Sequence, residues 1–106
     1  MSVGKLVRDK IPDIIRASGR TPRVTTPASR EFQLAITDKL DEEVAELVAA
    51  RTTDAVIEEA ADVVEVLIAM AGERGAILDN ILKAAHRKRT ERGGFGRRLW
   101  LDGIDQ

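Results

Sequence analysis

The sequence predicts a small all-α protein: a helical bundle built around an antiparallel helical hairpin, with short extended termini. Apolar residues recur at three- and four-residue steps through three long stretches, and Gly or Pro punctuates the intervals between them. Hydrophobic residues make up 43% of the 106 residues and charged residues 33%, a balance that suits a folded helical chain rather than a disordered one. Aromatic residues are only 3%, namely Phe32, Phe95 and Trp100, so the core is expected to be Val, Leu, Ile and Ala. Such a core packs helices closely but buries little area per residue, and a chain of this size is expected to complete it by self-association.

From the N-terminus, Lys5–Lys10 mixes apolar and charged residues and is expected to be extended. Pro12 fits the first turn of a short helix through Asp13-Ile14-Ile15-Arg16, closed by Gly19. The stretch from Arg20 to Pro27, with prolines at 22 and 27, reads as an extended connector able to pair with another extended segment. A long helix should begin near Thr26-Pro27 or Ser29, with Phe32, Ile36, Leu40, Val44, Leu47 and Val48 on its buried stripe. Arg51-Thr52-Thr53 breaks that pattern, and Asp54 suits the start of the next helix. That helix holds Val56, Ile57, Ala60, Val63, Val64, Leu67, Ile68 and Met70, the broadest apolar surface in the chain, and Gly72 and Gly75 end it. A further helix runs from about Ile77 to Thr90 with Ile77, Ile81, Leu82 and Ala85 inward, and Gly93-Gly94-Phe95-Gly96 stops it before a short extended tail. No repeat or linker interrupts residues 1–106, which read as one domain.

Several function classes are excluded or disfavoured. A formal net charge of −1 provides no overall field for nucleic acid or anionic membrane. No cysteine is present, so disulfides and thiolate metal sites are absent, consistent with a reducing compartment. No apolar run has the length of a membrane span, and the first residues lack a signal-peptide core, so the expectation is a cytoplasmic protein.

The acids carry the sharpest signal. Glu43 and Asp62, like Glu46 and Glu59, are placed symmetrically about the Thr52–Thr53 bond inside the Arg51–Thr53 break. If the chain reverses there, Glu46 faces Glu59 and Glu43 faces Asp62 at matching heights. Residues three apart share one helix face, so four carboxylates converge. Like charges that close resist joint ionisation unless a cation lies among them. Oxygen ligands of this kind suit Mg²⁺, with Mn²⁺ the alternative, whereas zinc more often recruits His or Cys and the only histidine is His86. Solvated glutamates are the ordinary alternative, but Glu59 and Asp62 interrupt an otherwise apolar helix, which favours the metal. Glu65 could join the same face as a base or outer partner, while Glu42 and Glu58 point away to the surface.

The basic run His86-Arg87-Lys88-Arg89, with Arg92, Arg97 and Arg98, is most simply a solvated face. Opposite a magnesium site it acquires another meaning, because phosphate oxygens not held by metal need cationic partners; Arg8 and Lys10 could add to it. The glycine-rich turn after Arg92 lacks the lysine and Ser or Thr of a P-loop and is sufficient as a helix stop. Phe95 and Trp100 are expected to pack in the core or a dimer rather than stack on a base, and His86 is a surface helix residue.

Three motifs in this order resemble the MazG-like all-α nucleoside triphosphate pyrophosphohydrolases. Glu42-Glu43-Val44-Ala45-Glu46 followed by Glu59-Ala60-Ala61-Asp62 is similar to their EExxE…ExxD signature. Lys5-Leu6-Val7-Arg8-Asp9-Lys10-Ile11-Pro12 resembles the opening of the phosphoribosyl-ATP pyrophosphohydrolase-like branch, and Arg92-Gly93-Gly94-Phe95 its closing turn. The resemblance implies metal-dependent cleavage between the α and β phosphates of a nucleotide, giving a monophosphate and pyrophosphate. It implies Glu43, Glu46, Glu59 and Asp62 as the catalytic Mg²⁺ ligands, and Lys83, Arg87, Lys88 and Arg92 as phosphate contacts. It also implies a homodimer or homotetramer with sites near subunit interfaces. The interval between the acidic halves is at the short end for the family, and few aromatics are present to grip a base. A non-catalytic helical module binding a nucleotide or protein through the same faces is the alternative reading, and nucleic-acid binding through residues 86–98 is the least favoured.

Overall fold

Pro12 opens the first helix, its fixed φ and missing N–H costing nothing in a first turn. The computed structural model describes residues 4–106 and contains four α-helices: α1 Ile11–Ala17, α2 Ser29–Ala49, α3 Thr53–Gly72 and α4 Leu78–Arg92. Among the described residues there is no strand, so residues 4–10 and the stretch between α1 and α2 are coil rather than strands of a ladder.

α2 starts at Ser29 with Ala28 at the cap position, and no side chain caps it, so the expected Thr26 or Ser29 cap is not formed. The reversal falls where the acids require it. Ala50 leaves α2 in extended geometry, and Thr52 accepts the Ala55 amide at 3.1 Å to cap α3. This three-residue connection folds α2 and α3 into an antiparallel hairpin: Gln33, Ile36 and Thr37 near the start of α2 share one depression with Met70, Glu73 and Arg74 at the end of α3. Gly75, at φ +77°, turns the chain toward α4, a backbone region that costs glycine little. α4 opens with the Ile77 amide donating to Asn80 Oδ1 at 2.8 Å and stops at Gly93, at φ +82°.

The core is small. Ile36 and Val66 are the buried apolar side chains, and residues 66–71 of α3 form the longest stretch at least half-buried. On α2 the inward stripe runs Phe32, Ile36, Leu40, Glu43 and Leu47. Val44 and Val48 lie off it, Val48 being 80% exposed, because Leu40 and Leu47 set the phase of the helix and Glu43 falls between them. α4 departs from expectation more clearly. Ile77, Leu82 and Ala85 are exposed and only Ile81 of the expected inward set is half-covered, since α2 and α3 are the closely packed helix pair and α4 leans on neither to a comparable extent. Phe95 and Trp100 are 96% and 86% exposed and join no core within the chain. The radius of gyration is 18.3 Å, against about 13 Å for a compact chain of this length.

Candidate functional site

Two helical turns before the reversal, Glu43 occupies a position that helix periodicity turns into the hairpin. Its residue exposure is 6%, the one charged side chain among the described residues that is buried. Glu46 follows on the same face, exposed nearer the turn, and Glu59 meets them from α3, half-buried. One carboxylate oxygen from each of these three lies within 4.8 Å of the others. The predicted mirror relation therefore brings Glu43, Glu46 and Glu59 together.

Asp62 sits beside this trio without belonging to it. It is near enough that its charge helps to raise the Glu43 carboxyl, but its Oδ1 accepts Arg8 Nη2 at 2.7 Å. The same guanidinium donates Nη1 to Glu65 Oε1 at 3.3 Å, one turn further along α3. Arg8 thus reaches the acids directly, not as a free cation awaiting phosphate, and Glu65 is an outer-edge residue. Glu42 and Glu58 are exposed, as expected.

Burial is the first cause that raises Glu43 above the ordinary carboxylate range, followed by the charge of Glu46; Lys39 opposes them and Asp62 adds to them. Lys39 Nζ lies 3.4 Å from Glu43 Oε1 and 3.7 Å from Glu42 Oε1. Sequence reasoning overlooked Lys39, although its four-residue spacing to Glu43 was a visible signal. Even with Lys39 in place, Glu43 Oε2 and Glu59 Oε2 are buried with no hydrogen-bond partner. Buried acceptors are nearly always satisfied, and leaving one unmade costs about 1–3 kcal/mol. Two orphaned carboxylate oxygens on neighbouring helices, within a group that offers only carboxylates as ligands, fit a hard divalent cation.

The basic residues are placed differently. Lys83, Arg87, Lys88 and Arg92 all lie on α4 and are exposed; Lys83 pairs with Asp79 at 3.1 Å. None of the four forms an ion pair or hydrogen bond with the acidic cluster among the described residues. α4 also carries His86, exposed as expected. Beyond α4, Arg98 closes a turn on the Phe95 carbonyl at 3.0 Å with its own φ at +57°. Among the described residues, no helix is long and apolar enough to cross a membrane.

An Uncharacterized protein of Mycolicibacterium smegmatis is 57% identical over 56 residues, covering 53% of this chain and 57% of that protein. The chain thus matches little more than half the length of that curated relative. No solved structure matches the chain. A sequence model described as phosphoribosyl-ATP pyrophosphohydrolase matches residues 12–89, from the first turn of α1 nearly to the end of α4. Because that match spans most of the chain and encloses both halves of the acidic hairpin, the chain belongs to the phosphoribosyl-ATP pyrophosphohydrolase family.

Proposed function

We propose that this protein is a cytoplasmic, Mg²⁺-dependent nucleotide pyrophosphohydrolase that cleaves between the α and β phosphates, releasing a nucleoside monophosphate and pyrophosphate and clearing unwanted nucleotides. Family membership supports the reaction class, and one observation carries the metal: the orphaned, buried Oε2 atoms of Glu43 and Glu59 within a three-carboxylate centre. Glu43, Glu46 and Glu59 would hold Mg²⁺, or Mn²⁺ in its place, with Asp62 as the fourth ligand. The ion, when bound, neutralises phosphate charge and lowers the pKa of an attacking water. Glu43 is the residue most dependent on it, because burial already disfavours its ionised form. Lys39 holds the other Glu43 oxygen and so orients the carboxylate across the hairpin.

Lys83, Arg87, Lys88 and Arg92 are the proposed phosphate contacts, supported by their exposure on one helix and by the absence of ion-pair partners for Arg87, Lys88 and Arg92 among the described residues. Homodimeric or homotetrameric assembly is part of the same reading. Its support is the elongated chain and the exposed apolar residues Val48, Ile77, Leu82 and Trp100 beside a small core. Sedimentation velocity reads the assembly directly, and a monomer at micromolar concentration would remove that part.

The test of the reaction is pyrophosphate release from a panel of nucleoside triphosphates and phosphoribosyl-ATP, with Mg²⁺, Mn²⁺ or chelator. Metal-dependent release with matching monophosphate is expected, and Glu46→Gln and Asp62→Asn should abolish most of it while retaining helicity. Unchanged turnover in both variants would sink the site assignment. Metal-dependent stabilisation with silence across the panel would favour the non-catalytic binding module.

A further inference from the structure

Asp62 and the trio differ in what holds them. Asp62 lies three residues beyond Glu59 on the same face of α3, and hairpin symmetry sets it opposite Glu43. Yet the three carboxylates whose oxygens approach within 4.8 Å are Glu43, Glu46 and Glu59. Asp62 instead accepts the Arg8 guanidinium at 2.7 Å, and the second arm of that fork rests on Glu65 at 3.3 Å. Glu43 Oε2 and Glu59 Oε2 are buried without a partner, while the outer acids share a resident cation from the segment ahead of α1. We infer that Arg8 is a positioning residue that holds Asp62 out of the carboxylate centre, so that Arg8 and a divalent cation compete for Asp62 and entry of Asp62 into the centre loosens the segment before α1.

The inference rests on the cation reading of the trio proposed above. The side chains of Arg8 and Asp62 are 54% and 41% exposed, so water already screens the pair and can replace either partner. An exchangeable contact of this kind is weak, whereas a divalent ion bound by several carboxylates is not. The guanidinium fork matters because it spans two acids one turn apart, which fixes Asp62 along α3 as well as pairing its charge. A lysine could neutralise one of them but could not bridge both with the same rigid geometry.

The competing possibility is that Arg8 supports Asp62 as a metal ligand from outside, in which case its loss weakens the centre. Titration calorimetry with Mn²⁺ alone separates the two, using the full chain as wild type, Arg8→Gln, Asp62→Asn and the double variant. The competition predicts that Arg8→Gln binds Mn²⁺ about two- to fivefold more tightly than wild type, the range an exposed ion pair allows. In the Asp62→Asn background Arg8→Gln should add nothing, because the carboxylate it withholds is gone. Amide exchange of residues 5–10 supplies the second reading: Mn²⁺ should speed it in wild type and leave it unmoved in Arg8→Gln. Weaker or equal Mn²⁺ binding by Arg8→Gln, or tightening that persists in the double variant, overturns the inference while leaving the metal centre standing. Absence of Mn²⁺ binding in every folded variant, wild type included, removes the centre and the inference together.

Discussion

Replacing Glu43 by glutamine should stabilise the protein in chelator and destabilise it relative to wild type in Mn²⁺. Three carboxylates share a space within 4.8 Å, and the Glu43 side chain is 8% exposed. At an effective dielectric of about 20, each pair of unit charges at that distance repels by about 3.5 kcal/mol, while Lys39 at 3.4 Å attracts by about 5 kcal/mol. Two repulsions against one attraction leave a cost of about 2 kcal/mol, and the exposure of Glu46 screens this to about 1 kcal/mol. The Glu43→Gln substitution removes that charge while keeping the shape of the side chain, and the new amide could donate to an orphaned oxygen. The expected gain in chelator is a rise in Tm of about 4–6 °C.

With metal the order should reverse. An ion present at a hundred times its Kd stabilises the state that binds it by about 2.7 kcal/mol, more than the repulsion it relieves. Wild type collects that stabilisation and Glu43→Gln, with one fewer anionic ligand, collects less. Differential scanning fluorimetry of both proteins in chelator and in millimolar Mn²⁺ shows the crossing or its absence. A lower Tm for Glu43→Gln in chelator, or equal metal shifts in both proteins, would refute the claim that Glu43 is a buried carboxylate waiting on a cation.

The same residue sets a pH dependence. Its folded pKa is raised above the ordinary 4.5, so between those two values the folded state binds more protons than the unfolded one and stability falls as pH rises. In chelator, wild type should therefore lose stability relative to Glu43→Gln as pH climbs from 4.5 through the raised value, and parallel Tm profiles would count against it. On α4, Arg87→Ala with Lys88→Ala should raise KM for the nucleotide about tenfold or more through lost charged hydrogen bonds, with circular dichroism unchanged; an unmoved KM would take α4 out of phosphate binding. Thr52→Ala should cost about 1 kcal/mol by removing the 3.1 Å cap on the Ala55 amide, and urea unfolding with an unchanged midpoint would show that the cap does not hold the hairpin.

Much of the architecture was legible because it is local. Pro12, the Arg51–Thr53 break and the glycines at 72 and 75 are each visible within a few residues, and the hairpin follows from two apolar helices joined by a short reversal. The acidic trio was legible for the same reason, since a reversal converts sequence spacing into height along two helices. The phase of α2 was harder to assign: Val44 and Val48 fit the same period as Leu40 and Leu47, and apolarity alone did not reveal that Glu43 would take the inward position. α4 shows a different limit. Its pattern announces an apolar face at Ile77 and Leu82, but a pattern carries no record of the surface that covers it. Arg8 reaches Asp62 across 54 positions of sequence, and no periodicity spans that distance.

The distribution of burial along the hairpin ties fold to function. Ile36 and Val66, the buried apolar residues, both lie on the side of the acids away from the turn. Between them and Thr52 the facing helices carry the half-buried Leu40, Leu47, Ala60 and Val63 together with Glu43, Glu46 and Glu59, which repel. The half nearest the turn therefore has the less favourable packing and should open first in local unfolding, at a free energy below that of the rest of the hairpin. A divalent ion held from both helices acts in the opposite sense, because its ligands come from α2 and α3 together and its binding energy is delivered across that weak half. Amide exchange across residues 43–62 should then slow on adding Mn²⁺ by a larger factor than exchange near Ile36 and Val66. Uniform slowing along both helices would mean that the ion stabilises the fold globally, and no slowing would mean that the carboxylates do not hold it across the hairpin. The small core is in this view adequate because the metal, once bound, supplies the cross-helix contact that a pair of apolar residues would supply in an ordinary hairpin.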